Sequence, residues 1–463
     1  MQLNYIANAR VPSSSGRSLA VVDPSDGQPF EDIPRSNAHD IDDAVAAARD
    51  GFDGVWRNLA ATERGRLLAR WSALLGEHAG ELAATLQNDC GKPTRQALAD
   101  VHALVACLAA HAEACGAIAT DPVPARAGYR TETWHDPHGV TAHLIPWYAP
   151  LQCFGRGVGA ALAAGNVCVV KPSEEASLAL LRVAELAGEA GLPPGALNIV
   201  TGYDHEAGDA LARHRGVDHI SFTGAPALGT LVRQAAAERH CPVRLDLGDK
   251  RLHIVCADAD LDAAVPAILA AVLHSAAQSR AAGARLLIEE AVYEPLLERL
   301  ANAFDDLRVG PAAIDLDMGP LISHAQQQRV WDFLSDAQVA GIPVLAQGVV
   351  VDDAPETGFY QAPTLLRDVP LAQAIALEDV PGPVLAAMAF QGDAEAITLA
   401  NATLANVVTS LWTRDALRPQ RLARSLRSGH MLLNHHEDHP GPRGPAEALG
   451  TYTTRKTLAV RLD

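Results

Sequence analysis

Val167-Cys168-Val169-Val170-Lys171-Pro172-Ser173-Glu174 is a run of four apolar residues that stops abruptly at a lysine, a proline and two polar residues. A short apolar run closed by turn formers reads as a strand buried on both faces. Just beyond it Leu180, Val183, Ala184 and Ala187 fall three and four apart, the spacing of one helix face, and Gly191 with Pro193-Pro194-Gly195 ends that helix. The alternation then repeats: strand 197–200, helix 207–213, strand 219–222, helix 228–237, strand 243–247. Strands separated by single helices predict a parallel, doubly wound sheet.

Working outward, residues 1–35 read as a small hairpin leader with turns at Ser13-Ser14-Ser15-Gly16 and Pro24-Ser25-Asp26-Gly27. Helical periodicity follows from Asp40, through Leu67 to Leu75 and Leu82 to Leu86, and on from Leu98 to Ile118. Tyr129-Arg130-Thr131-Glu132-Thr133-Trp134-His135 alternates like a half-exposed strand, and such an edge wants a partner. A second α/β region is expected from Ile254 to about His430, with helices at 263–276, 295–304 and 326–340 and a last strand at 453–462.

The chain has 463 residues, 48% of them hydrophobic and 20% charged, which suits two or three domains with real cores. A formal charge of -18 repels nucleic-acid backbones and anionic membrane surfaces, so neither is an expected partner. Seven widely spaced cysteines without a C-x-x-C pair fit reduced thiols in a cytoplasm. Neither an export signal nor a run of about 18 uncharged apolar residues is present, so the expected location is cytoplasmic.

Several segments in one order resemble the landmarks of the aldehyde dehydrogenase family. They are Ala163-Ala164-Gly165-Asn166 leading into Val170-Lys171-Pro172-Ser173-Glu174, then Phe222-Thr223-Gly224-Ala225-x-x-x-Gly229, Met318-Gly319-Pro320-Leu321-Ile322, Pro363-Thr364, Gly382-Pro383-Val384, Leu411-Trp412-Thr413-Arg414-Asp415 and Tyr452-Thr453-x-x-Lys456-Thr457. The resemblance implies an α/β fold with three parts. A Rossmann-type dinucleotide-binding domain would take residues 1–118 and 138–248, an α/β catalytic-type domain 249–447, and a β oligomerisation arm 119–137 and 450–463. It implies a homodimer or higher homo-oligomer joined through that arm, or a mixed oligomer with an active relative. It implies NAD as cofactor, with Trp147, Lys171, Glu174, Gly224, Gly229 and Asp379 around it. The physics is consistent: glycines admit a pyrophosphate to a helix N-terminus, and a carboxylate at Glu174 accepts from ribose hydroxyls and repels a 2'-phosphate.

The departures lie at the chemistry. The family's nucleophile loop, Gly-Gln-x-Cys-x-Ala-Gly-x-Arg, is matched by Ala277-Gln278-Ser279-Arg280-Ala281-Ala282-Gly283-Ala284-Arg285, so Arg280 stands in the thiol's place. Tyr148 replaces the asparagine amide of the oxyanion site, and Asp246 stands where the glutamate base belongs. A guanidinium stays protonated and has no free lone pair, so it cannot attack a carbonyl. The expectation is a family protein unable to oxidise aldehydes, with a structural or regulatory role. One alternative is an enzyme repurposed for an anionic small molecule, its pocket lined by Gln152, Cys153, Arg156, His274, His435 and His436. Another is a weak NAD-dependent oxidoreductase. The group His435, His436 and His439 with Asp438 or Cys153 matches no specific metal motif, and no metal is expected.

Overall fold

In a computed structural model of the chain, residues 1–116, 128–247, 251–279, 283–403, 408–436 and 444–462 are described. The N-terminal segment is more than a leader. Strands β1 (Asn4–Ile6) and β2 (Ala9–Val11) pair with each other, and β1 also runs antiparallel to a core strand, Tyr5 opposite Ile199. Only β3 (Ser18–Val22) and β4 (Pro29–Pro34) form a separate hairpin. Asn4 is fully buried and its amide oxygen accepts from the Thr201 backbone, a tie between distant residues that a local reading does not reveal.

Helices α1 (Ala38–Gly54), α2 (Ala61–Glu77), α3 (Ala79–Cys90) and α4 (Thr94–Ala114) follow. Asn37 and Asp40 close a capping box at the start of α1, satisfying backbone donors the first turn leaves free. By length and composition α4 passes the test for a membrane span, but it packs against α2, α3 and the helix after the next strand pair as a core helix.

Strand β5 (Tyr129–Pro137) lies apart from the main sheets. Strands β6 (Val140–Ile145), β7 (Val167–Pro172), β8 (Leu197–Ile199), β9 (His219–Gly224) and β10 (Val243–Leu247) build the first seven-stranded sheet, in the order β10-β9-β6-β7-β8-β1-β2. β6 and β7 are buried along their whole length, as their apolar runs require. Between the strands lie α5 (Pro150–Phe154), α6 (Ala160–Ala163), α7 (Leu178–Glu189), α8 (Asp209–Arg213) and α9 (Pro226–Ala237). The chain leaves β6 in one direction through β7 and β8, then crosses back to lay β9 on the other side of β6. The crevice beyond the ends of β6 and β9 is therefore the topological switch point, where doubly wound sheets bind ligands.

The second sheet has the order β14-β16-β17-β12-β11-β18-β19, built from β11 (Arg251–Val255), β12 (Gly283–Glu289), β14 (Val344–Gln347), β16 (Thr364–Leu366), β17 (Val384–Phe390), β18 (Val408–Trp412) and β19 (His430–Leu433). Short strands β13 (Arg308–Val309) and β15 (Val349–Val350) pair beside it, and β20 (Thr453–Arg461) runs antiparallel to β5 over nine residues. Helices α10 (Leu261–Leu273), α11 (Glu290–Asp305) and α12 (His324–Val339) flank this sheet. Two expected helices change extent. The one expected to reach Ala276 stops at Leu273, because the backbone turns left-handed at residues 275–277; the one expected from Pro295 starts at Glu290 and carries the proline inside it.

Candidate active site

Two regions meet at the ends of β6. On the side of the first sheet a cavity of about 230 Å³ is walled by Leu144 to Tyr148 at and beyond the end of β6, by Ser173 after β7, and by Phe222 to Ala225 at the end of β9. Asp204, Leu228, Gln278, Gln326, Arg329, Asp379 and Pro381 complete its rim. The N-terminus of α9 opens beside it. Ala225 at the N-cap offers no side-chain acceptor and Pro226 opens the helix, so the first-turn amides and the positive end of the dipole remain available to an anion.

The two glycines of this turn differ in purpose. Gly224 lines the cavity, and a Cβ there would lie 2.7 Å from the Phe222 ring, so glycine keeps the strand end slim. Gly229 is buried on α9, and a Cβ there would come within 2.2 Å of the Leu247 side chain. Glycine there lets α9 pack closely on β10.

Lys171 lies at the end of β7. Its ammonium is almost wholly buried and is shared between Glu174, at 3.2 Å, and Asp204. It is therefore already engaged by carboxylates. Asp204 was not singled out by sequence reading; its signal was its place in the turn after β8, next to the strand that carries Lys171. Asp379 stands on the opposite rim, where Arg329 donates to its backbone carbonyl at 3.4 Å. One rim thus presents carboxylates to hydroxyl donors, and the helix terminus presents amides to a phosphate.

The other region lies around the turn after α10. Ser275, Ala276 and Ala277 all take positive φ, at 51°, 52° and 54°. Three successive non-glycine residues in this conformation are strained, each costing on the order of 1–2 kcal/mol. The surroundings hold them there. The Ser275 amide donates to the Gln96 side chain at 2.9 Å, its hydroxyl donates to the Tyr148 carbonyl at 3.0 Å, and Gln278 donates to the Ser275 carbonyl at 3.0 Å. Gln278 in turn accepts from the Ile322 amide at 2.9 Å. The turn is thereby clamped to α4, to the end of β6 and to the segment before α12. Arg280 follows at once, and it lies outside the described residues.

Tyr148 is buried with its ring edge-on to Trp147, centroids 5.6 Å apart. Asp246 is half-buried on β10, opposite Thr223 of β9. Gln152, Cys153 and Arg156 share one helical segment, broken by a π-helical turn at Gly155–Gly159 of the kind that often marks function. Arg156 donates to the Gln152 carbonyl at 3.3 Å and approaches the Cys153 sulfur at 3.7 Å. Gln152 donates to Asp100 at 2.8 Å, and His274 reaches the same carboxylate at 3.7 Å. Asp100 is ion-paired with Lys92, and both side chains are 2% exposed. Burial alone would raise the Asp100 carboxyl; Lys92 first and His274 after it overcome that and hold it well below the usual range. Sequence reading missed this buried pair, which local periodicity does not report.

His435 and His436 do not join that group. His435 is exposed, with its ring nitrogen 3.0 Å from the Leu433 carbonyl, and His436 stacks on buried His253 of β11 at 5.3 Å. Asp438 and His439 lie outside the described residues, and among the described residues no group of three metal-ligating side chains comes together.

Residues 11–445 match the pattern of the aldehyde dehydrogenase family. Hydroxyisobutyraldehyde dehydrogenase of Mycolicibacterium austroafricanum is 33% identical over 475 residues, covering 100% of this chain and 94% of that protein. A solved Burkholderia cenocepacia chain assigned as an aldehyde dehydrogenase superposes with a TM-score of 0.97 at 55% identity, covering 100% of both chains. PnpE of Pseudomonas sp. WBC-3, solved with nicotinamide adenine dinucleotide, gives 0.95 at 34% identity, covering 100% of this chain and 98% of that one. Fold, order of landmarks and extent of likeness agree, and the chain belongs to the aldehyde dehydrogenase family.

Proposed function

We propose that this protein binds NAD in the switch-point cavity and does not oxidise aldehydes, serving instead a structural or regulatory role as a homo-oligomer joined through β5 and β20. The single observation that carries the loss of chemistry is that residues 273–285 contain no cysteine. The thiols that exist stand elsewhere: Cys153 on α5 and Cys256 after β11 are both buried, and burial raises the Cys256 thiol to about 12. Arg280 occupies the nucleophile's register, and a guanidinium has no electron pair with which to form the thiohemiacetal-like adduct that hydride transfer requires. Tyr148 and Asp246 take the places of the amide and the glutamate base.

Cofactor binding is supported by the fit of the cavity. The slim Gly224 strand end, the open first turn of α9 and the carboxylates on the rim suit pyrophosphate and ribose. At about 230 Å³ the cavity is smaller than the ~300–1,000 Å³ of enclosed ligand sites, so part of a dinucleotide would lie across the surface. Bound NAD supplies a hydride acceptor. Calorimetry with NAD tests this half directly, and absence of heat at millimolar ligand refutes it.

A second reading rests on Arg156. Among the described residues it has no carboxylate within ion-pair reach, although it is half-buried beside Gln152 and Cys153. A planar guanidinium so placed suits a carboxylate or phosphate on a small molecule. Specific thermal stabilisation by small dicarboxylates, lost in Arg156→Gln, distinguishes this reading from the first.

A further inference from the structure

A second cavity, of about 550 Å³, lies at the other end of β9 from the switch point, between the residues that precede that strand and the last turns of α8 and α9. β9 is 6 residues long, so roughly 20 Å of strand separates the two cavities. Arg213, Arg215, Arg239 and His240 line this corner, with Asp218 and Glu238 as its acids. Both acids are already engaged. Arg49 of α1, outside the cavity, holds Asp218 at 2.5 Å, and the Val140 amide donates to the same oxygen at 2.8 Å. Arg213 holds Glu238 at 3.1 Å. Arg239 donates to the Val217 and Ala212 carbonyls at 2.6 and 3.0 Å, which uses two of its five N–H donors and answers the negative end of α8. Among the described residues neither Arg215 nor Arg239 has a carboxylate within ion-pair reach, and Arg215 is exposed. The groove of about 720 Å³ beside α7 is the opposite case, because its Arg10 and Arg182 are both paired with glutamates. In a chain with a formal charge of -18, a cavity that keeps an unpaired guanidinium and no free acid is a local basic site.

We infer that this corner binds the phosphate group of a small organic phosphate, at a site separate from the switch-point cavity and independent of the NAD reading given above. A phosphate accepts the forked N–H donors that a planar guanidinium presents, and it carries the charge that Arg215 leaves unmatched. Arg239 is fixed by its two carbonyls, so the donors it has left are set in place before a ligand arrives. His240 adds a ring nitrogen to the same wall. The volume of about 550 Å³ falls within the ~300–1,000 Å³ of small-molecule sites and far exceeds what a bare phosphate fills, which favours an ester over the free ion.

The test uses the full-length protein and calorimetry with ribose 5-phosphate, inorganic phosphate and ribose at fixed ionic strength, since exposed charges are screened by salt. The native protein should bind ribose 5-phosphate, bind inorganic phosphate more weakly and ignore ribose. Arg215→Gln should weaken the ester by about tenfold or more, and Arg215→Lys, which keeps the charge without the fork, should fall between the two. Arg66→Gln, which removes an equal charge from α2, should change affinity by less than about twofold. Arg215 is exposed and breaks no ion pair when replaced, so its variants should keep the native thermal midpoint, which certifies folding. No heat from the native protein with the ester at millimolar ligand, or an unchanged affinity in folded Arg215→Gln, overturns the inference. Inorganic phosphate bound as tightly as the ester overturns its organic half, because the volume of the cavity would then contribute nothing. The NAD reading is tested apart from this one: NAD affinity should be the same in Arg215→Gln as in the native protein, and a loss of NAD binding in that variant would overturn the separateness of the two sites.

Discussion

The switch-point cavity and the turn after α10 lie side by side, yet they depend on different kinds of information. The cavity is made mostly of backbone: strand ends at a switch point, a slim glycine and the first turn of a helix. Many sequences can build such a place as long as the sheet forms. The turn is equally well built, with three strained residues clamped by Gln96, Gln278 and the Tyr148 carbonyl, but on the proposed reading its chemistry hangs on a thiol that residues 273–285 do not contain. On the proposed reading, binding and reaction are separable properties of one fold, and NAD still binds where the chemistry is lost.

The largest expected effect restores the missing atom. Arg280→Cys combined with Tyr148→Asn should raise NAD-linked aldehyde oxidation by several orders of magnitude over a background near zero, followed as NADH absorbance. If the double variant is folded and binds NAD but stays inert, more than the nucleophile and the amide has been lost from this side.

Next comes the buried pair behind the turn. Lys92→Met leaves the Asp100 charge without its ammonium and should cost about 3–5 kcal/mol in denaturant unfolding, whereas replacing both residues by apolar ones should be near neutral. Equal losses in the single and double variants would show that packing, not charge, dominates there.

The first sheet carries a pH dependence of its own. His143 and His219 are buried beside Tyr452, and burial first, with neighbouring positive groups second, lowers both to about 3. Unfolded histidine titrates near 6.5, so the unfolded chain takes up protons that the folded one refuses. The stability these residues confer is present above about pH 6.5 and is lost as pH falls toward 3, by a few kcal/mol in all. His143→Gln should flatten that part of the profile of unfolding free energy against pH; an unaltered slope would contradict it. The smallest effect is that of Arg156→Gln, within about 0.5 kcal/mol in stability without ligand, since no ion pair is broken.

Much of this was legible in the chain. The strands of the first sheet follow from apolar runs between turn formers, because burial on both faces leaves no polar position within them. That residues 273–285 hold no cysteine needs no geometry to be read. Long-range partnerships were not. Asn4 with Thr201, Lys171 with Asp204 and Lys92 with Asp100 are set by tertiary packing, and a periodicity of two or three and a half residues carries no trace of them. Gly229 shows a second limit: the motif match does not report that a Cβ at this position would meet the Leu247 side chain.

The most direct measurement is steady-state NADH formation by the native protein, purified from a host lacking its own aldehyde oxidation, with NAD and simple aldehydes. No formation above the no-enzyme rate, in a sample that binds NAD by calorimetry, is the predicted result. Turnover at rates ordinary for the family, abolished by no change at Cys153 yet sensitive to Arg280, would contradict the account.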